Sequence, residues 1–371
     1  MTGILLMPIF HISHFHFIFR TSILFIYKSN YEAMILWADN LRSISILAVV
    51  LLHVSSGFVG DIGISSDLYG SKSWWAGNIY ESISRWCVPS FVMISGYFLL
   101  NKKEDNLTFF HKRVKRILIP LIFWSVFFSF WMVLRYFVKG ELPDALPALI
   151  KNWLLGQPYY HLWFLFMIPF LYLVTPILRV AFSNSSKGVL FSFIVLCFSL
   201  SMLTVIFYYI ASLLNMGSKV TLFTNNFLMF LGYFCLGGYI CKYNIELKLV
   251  NSLLIFLLSI MATAIGSYFF TYEYFYSYLS ITTVFSSISI FFLIKQSLNR
   301  KSFIGYFSGL SFGIYLIHPV FIDIISFLGK GLIQGKINAF IYIPLATICV
   351  YLLSYLVALF MSKSRILNKC I

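Results

Sequence analysis

Long apolar stretches alternate with short polar connectors along the whole chain. Each stretch is near the ~20 residues that a helix needs to cross a bilayer, so we predict ten membrane-spanning helices. The predicted spans are 41–58, 79–100, 117–138, 161–181, 189–214, 222–241, 250–270, 276–294, 310–328 and 338–361. The connectors between them are too short to fold as a soluble domain. The pattern therefore predicts an all-α, polytopic membrane bundle whose chemistry is built from helix faces and short loops.

The composition agrees with a membrane protein. The 371 residues are 60% hydrophobic and only 11% charged, whereas soluble domains carry about 25% charged residues. The net charge of +15 does not indicate nucleic-acid binding, because no basic segment stands free of a hydrophobic span. Lys and Arg instead concentrate in the loops on one side of the predicted spans, and by the positive-inside rule both termini are cytoplasmic. The six cysteines form no close pair, so we expect neither a disulfide framework nor a metal site.

Residues 1–36 form an N-terminal extension with a different character. They are apolar but broken by Pro8 and several histidines, and they lack the cleavage site of a signal peptide. An extra, poorly formed helix is one interpretation, but we favour a translation start at Met34. The predicted membrane domain then covers 37–362, followed by a cytoplasmic tail at 363–371.

Arg42 and His53 are ionisable residues in the first predicted span. Eleven steps along a helix turn about 20° past three full turns, so both side chains share one face, about 16 Å apart along the axis. Ionisable groups at membrane depth usually face a protein interior or a wet cavity. The pair suggests a site that begins at one membrane face and reacts near the middle. The alternative is a histidine that only hydrogen-bonds a neighbouring helix.

The second span holds a charged pair and a proline. Glu81 and Arg85 stand four residues apart and are expected to pair on the helix. Pro89 removes one backbone hydrogen bond and predicts a kink. Ser95 and Gly96 favour a close approach of another helix.

Basic residues cluster at the predicted cytoplasmic end of the third span, at 112–116. Arg113 and Arg116 offer planar, bidentate donors that suit phosphate groups, and Arg42 lies at the same membrane face. Ordinary topology charge, or contact with anionic lipid, explains the cluster equally well.

Aromatic and imidazole groups mark two further segments. His161 and Trp163 open the fourth span, where they fit either an interfacial aromatic belt or the binding site of a sugar acceptor. Tyr315 and His318 lie in the ninth span, where packing or an orienting role is favoured over catalysis. Ser311 stands in a Gly-x-Ser-x-Gly sequence, but without a preceding strand we interpret these small residues as helix-packing positions.

The segments, taken in order, resemble the acyltransferase-3 family of integral-membrane acyltransferases. The resemblance runs from Trp37 to the last span and rests on the ordered set of motifs. These are Trp37–Arg42, the Arg42/His53 spacing, Val88–Tyr97, His161–Phe164, Tyr172–Pro176, Leu231–Gly238 and Ser311–His318. Within the family, the chain is most similar to O-acetyltransferases of enterobacterial common antigen and lipopolysaccharide O-antigen.

The resemblance implies transfer of an acetyl group from acetyl-CoA to a hydroxyl of a lipid-linked or nascent cell-envelope glycan, in the bacterial inner membrane and without a metal. His53 corresponds to the family's essential histidine, and Arg42 to its first-helix arginine. Arg113 and Arg116 fall in the family's basic cluster, where Lys112 and Lys115 replace arginines that are common there. Two other functions would also fit an intramembrane His and Arg: a transporter or flippase of a lipid-linked sugar, and a non-catalytic assembly factor.

Overall fold

A computed structural model of the protein describes residues 36–59, 68–214, 226–270, 272–332 and 337–371. All regular secondary structure within these ranges is helical. The α-helices are α1 (Leu36–Ser56), α2 (Lys72–Ser84), α3 (Cys87–Leu99), α4 (Asn106–Lys139), α5 (Leu142–Leu154), α6 (Trp163–Asn184), α7 (Lys187–Leu213), α8 (Asn226–Tyr243), α9 (Leu249–Phe269), α10 (Tyr272–Phe275), α11 (Ile281–Ser297), α12 (Ser311–Leu332) and α13 (Ala339–Lys363). A 3₁₀ helix (Ile304–Leu310) precedes α12, and another (Leu367–Cys370) follows α13. The predicted start at Met34 lies outside the described residues.

Seven helices of the described chain are long and apolar enough to cross a membrane: α1, α4, α6, α7, α9, α12 and α13. The predicted all-α, polytopic architecture is therefore confirmed. The remaining predicted spans correspond to shorter helices. Helix α8 has 18 residues and α11 has 17, while the second predicted span is divided between α2 and α3.

Helices α2 and α3 are divided at Arg85 and Trp86, and both residues keep right-handed helical backbone angles, so the division is a local break within the predicted span, just before Pro89. Pro89 stands in the first turn of α3, where a residue without an N–H costs no helical hydrogen bond. The predicted ion pair is confirmed, with Arg85 Nη2 lying 2.8 Å from Glu81 Oε2. Arg85 also donates to the carbonyl oxygen of Tyr276, so the Glu81–Arg85 pair connects the end of α2 to the segment that contains Tyr276.

Helix α4 and its neighbour α5 depart most from the predicted pattern. The 34 residues of α4 span about 51 Å, well beyond the ~30 Å of a bilayer core. Its polar first turns therefore extend past the membrane. Helix α5 lies in a segment predicted as a connector, and its Trp153 donates to Ser129 of α4. Its exposed Leu142, Leu146 and Ile150 recur every four residues, which is typical of a helix lying at a membrane interface.

Helices α3 and α8 cross with their backbones in contact, at two glycines. A Cβ atom added to Gly96 would lie 1.8 Å from the Phe234 oxygen, and one added to Gly237 would lie 2.0 Å from the Met93 oxygen. Both obstacles are backbone atoms, which cannot rotate away. The close approach predicted from Gly96 is thus confirmed, and it fixes α3 in the wall of the site described below.

We expect Gly96→Ala and Gly237→Ala each to lower the free energy of unfolding by about 1–3 kcal/mol or more, because the helices must separate to admit the methyl group. Thermal unfolding of the purified protein measures this loss. Gly188→Ala in α7 is the matched control, since a Cβ there meets nothing within 4 Å. Equal stability of all three variants would contradict the expected packing.

Candidate functional site

Three histidines from distant parts of the sequence meet inside the bundle. The ring of His53 on α1 lies 5.2 Å from that of His318 on α12, centroid to centroid, at an interplanar angle of 27°. The ring of His161, just before α6, lies 5.6 Å from that of His318. His161 and His318 are fully buried, whereas His53 keeps some exposure. We call these three residues the histidine cluster.

The sequence His318-Pro319 sets the protonation of one member of the cluster. In a helix the N–H of residue 319 would bond to the carbonyl of Tyr315, but proline has no N–H. His318 Nδ1 takes this place, 2.7 Å from the Tyr315 oxygen. The proton is therefore on Nδ1, and Nε2, which has no hydrogen-bond partner in the described structure, is left with a free lone pair.

Two contacts at its first turns hold α1, and with it His53, in place. The ring of Trp37 is buried 5.0 Å from that of Phe291 and 5.1 Å from that of Tyr97. The Asn40 side chain donates to the carbonyl oxygens of Leu298 and Arg300. Buried apolar area and satisfied carbonyls thus anchor the helix on α3 and on the segment after α11.

A cavity of about 470 Å³ reaches from one end of the bundle toward the histidine cluster. We call it the arginine cavity, because Arg42, Arg113 and Arg116 all line it. Its deeper wall includes Tyr315, whose ring lies 5.3 Å from that of His161 and 6.2 Å from that of His318. The cavity also touches Val49, one helical turn before His53.

Arginine side chains give the wall of the arginine cavity a net positive charge. Arg42 forms an ion pair with Asp39 at 2.8 Å, the only carboxylate that lines the arginine cavity. Arg113 lies 5.5 Å from the ring of Phe109 and 5.6 Å from that of Tyr172, and its Nε has no partner in the described structure. Three guanidinium groups thus face one carboxylate.

Lys112, in the same basic segment, makes its contacts outside the arginine cavity. Lys112 does not line the cavity and instead donates to Glu104 at 2.7 Å. This hydrogen bond lowers the pKa of the Glu104 carboxyl, which therefore stays ionised and also pairs with Lys102 and Arg179. Lys112 thus has a carboxylate partner outside the cavity, while the arginine side chains line the cavity itself.

A second cavity of about 230 Å³ lies farther along α4, toward its other end. Its wall consists of Met132, Arg135, Tyr136, Lys139, Asn152, Tyr159 and Tyr160. We call it the tyrosine cavity. The ring of Tyr160 lies 5.0 Å from that of His53, so His53, which lines neither cavity, adjoins the wall of the tyrosine cavity here and that of the arginine cavity one turn away at Val49. Along α4, Arg116 and Arg135 are separated by a rise of about 28 Å, close to the thickness of a bilayer core.

A polar network not predicted from the sequence supports the tyrosine cavity. Asp323 of α12 accepts hydrogen bonds from Tyr159 and from Trp131 Nε1, and it lies 3.3 Å from Arg135. Arg135 also donates to the Tyr159 hydroxyl. The signal was present in the sequence, because Arg135 and Asp323 are ionisable residues inside predicted spans. Their pairing depends on how α4 and α12 pack.

The structure brings most of the predicted site residues together. His53, His161, Tyr315 and His318 meet in or beside the histidine cluster, and the three arginines share one cavity. Trp163 lines neither cavity and packs against Phe230 and Tyr278 at 5.6 and 5.8 Å. Among the residues that the structure describes, no group of three His, Cys, Asp or Glu side chains could hold a metal ion. The roles of these residues remain predictions.

The comparisons with known proteins agree with this architecture. Residues 35–359 match the family Acyl_transf_3, described as an acyltransferase domain. The comparisons with curated proteins and with solved structures found no match. The matched segment includes the histidine cluster and both cavities. Since it covers far more than half of the sequence, the protein belongs to the acyltransferase-3 family and is a multi-pass membrane acyltransferase.

Proposed function

We propose that this acyltransferase moves an acetyl group from acetyl-CoA to a hydroxyl of a cell-envelope glycan, such as O-antigen, enterobacterial common antigen or a related polysaccharide. The observation that carries the proposal is that His53 adjoins both cavities, one helical turn from Val49 of the arginine cavity and in ring contact with Tyr160 of the tyrosine cavity. A transferase must bring its donor and its acceptor to one reacting group, and a donor in one cavity and an acceptor in the other approach the same histidine.

The donor enters through the arginine cavity. Phosphate groups of acetyl-CoA bind to Arg42, Arg113 and Arg116, because guanidinium groups form strong bidentate hydrogen bonds with phosphate oxygens. Arg116 is exposed, so the mouth is open and the nucleotide can stay at the membrane surface. The thioester extends past Tyr315 toward His53. The volume of about 470 Å³ is in the usual range for small-molecule sites.

His53 accepts the proton of the acceptor hydroxyl as its oxygen attacks the thioester carbonyl carbon. The C–S bond then breaks, and the CoA sulfur takes the proton back from the imidazolium. General acid–base catalysis contributes about 10²–10⁴-fold, and positioning of the two substrates supplies much of the rest. A relay through an acetyl-histidine uses the same residue and the same geometry.

The protein resides in the bacterial inner membrane with both termini in the cytoplasm. The loops on one side of the predicted spans and the C-terminal tail hold 16 Lys or Arg, whereas the loops on the opposite side hold six. By the positive-inside rule the first set lies in the cytoplasm; it consists of 101–116, 179–188, 242–249, 295–309 and 362–371. In this orientation the arginine cavity opens to the cytoplasm, where acetyl-CoA is made, and the tyrosine cavity lies toward the envelope.

Purified protein in lipid vesicles, given acetyl-CoA with a labelled acetyl group and glycan from a strain lacking this protein, tests the proposal. We expect release of free CoA and label in the glycan, and mass spectrometry of the deletion strain should show glycan lacking acetyl groups. Movement of unmodified sugar lipid across the vesicle without CoA release would instead support a transporter.

We expect Arg113→Ala combined with Arg116→Ala to raise the KM for acetyl-CoA about tenfold or more, because two charge-assisted hydrogen bonds are lost. The matched control is Lys112→Ala combined with Lys115→Ala. It removes the same charge from the same helix, but neither lysine lines the arginine cavity. The same KM shift in both variants would show that only the overall charge matters.

A further inference from the structure

We propose that the tyrosine cavity is the acceptor site and that it selects a single sugar residue carrying an anionic group, either a carboxylate or a phosphate. The inference rests on the proposed function for its link to catalysis. It goes beyond that function in naming the binding site and the charge of the sugar.

The position of the cavity is the first argument. Tyr160 belongs to its wall and also contacts His53, at 5.0 Å between ring centroids. The arginine cavity and the tyrosine cavity share no lining residue. A ligand in the tyrosine cavity is therefore separated from His53 by the Tyr160 ring and does not share the donor's cavity.

The wall of the cavity suits one sugar ring. Tyr136 and Tyr160 offer flat apolar faces with polar edges, which can cover the C–H faces of a sugar, whereas Tyr159 is buried against Phe128. Asn152 has a side-chain amide whose described hydrogen bond is a weak one, 3.5 Å from the sulfur of Met132, so it can turn to a sugar hydroxyl. The volume of about 230 Å³ is smaller than the ~300 Å³ of typical drug-sized sites, which favours a monosaccharide unit.

The charge of the wall is the third argument. Arg135 is paired with Asp323 at 3.3 Å, so these two charges balance. Lys139 is exposed at the same cavity and forms no ion pair in the described structure. The ammonium group of Lys139 thus has no carboxylate partner in the described structure, which favours a ligand with a negative charge. The carboxylate of a uronic acid and the phosphate of a sugar phosphate both supply it.

Ligand-observed NMR on the purified full chain, without acyl donor, tests the inference with three probes: methyl glucuronide, glucose 1-phosphate and uncharged methyl glucoside. We expect wild type to bind at least one charged probe more tightly than methyl glucoside. Which of them binds tells whether the group is a carboxylate or a phosphate. Lys139→Gln should weaken that probe about fivefold, and Lys139→Arg should retain it.

Lys151→Gln is the matched control, because Lys151 is an exposed lysine next to Asn152 that does not line the cavity. Tyr136→Ala is a second variant, and it should weaken charged and neutral probes alike. The inference is overturned if no probe binds, if wild type does not distinguish charge, or if Lys139→Gln and Lys151→Gln behave alike. Because no acetyl-CoA is present, failure of the transfer reaction and failure of this inference give separate results.

Discussion

His53→Ala should lower acetyl transfer by at least about 100-fold, because the residue that we propose as the acceptor of the hydroxyl proton is lost. The KM for acetyl-CoA should stay close to the wild-type value, since the arginines at the cavity mouth are unchanged. Initial rates with labelled acetyl-CoA, on protein shown to be folded by its unfolding temperature, give both quantities. His53→Gln, which keeps much of the volume without a basic nitrogen, should be equally inactive.

His111→Ala is the control for this experiment. His111 is exposed near the start of α4 and belongs to neither cavity, so its loss should leave the rate unchanged. A His53→Ala variant that keeps more than a tenth of the wild-type rate would rule out His53 as the base.

Arg85→Gln should lower the free energy of unfolding by about 3–5 kcal/mol, the usual effect of leaving one charge of a buried pair without its partner. The Glu81 side chain is only 1% exposed, so water cannot replace the guanidinium. The double variant Glu81→Gln, Arg85→Gln should lose less than Arg85→Gln alone, because neither charge then remains buried. Chemical or thermal unfolding of four proteins, wild type, Glu81→Gln, Arg85→Gln and the double variant, measures the coupling.

A surface pair provides the comparison. Lys102 lies 3.4 Å from Glu104, but its side chain is 49% exposed, and Lys102→Gln should cost less than about 1 kcal/mol. If Glu81→Gln and Arg85→Gln were simply additive, the two side chains would not depend on each other for stability.

The membrane spans could be predicted from the sequence because bilayer thickness fixes how long an apolar run must be. The same reasoning fails where local packing decides. The break at Arg85 and Trp86 lies inside one continuous predicted span, since hydropathy does not report where the hydrogen-bond pattern of a helix is interrupted. Helix α5 was missed because it lies on the interface and does not cross, so its apolar residues occupy only one face.

In the candidate site, too, some features follow from the sequence and others depend on tertiary packing. Arg42 and His53 share a helix, so their common face follows from spacing alone. Nothing in the sequence brings His161 and His318 to His53, because the three positions are separated by more than a hundred residues each and meet only through tertiary packing. The charges of Arg135 and Asp323 were visible within predicted spans, but their partnership required the contact of α4 with α12.

The separation of the two cavities has a consequence for the cell. His53, Tyr160, His161 and His318 pack ring against ring between them, and the cavities share no lining residue. In the proposed reaction only two carbons pass this barrier, while the nucleotide remains on the side where it was made. In that reaction an acceptor on the far side of the membrane gains an acetyl group, and the whole coenzyme stays in the compartment that supplies it.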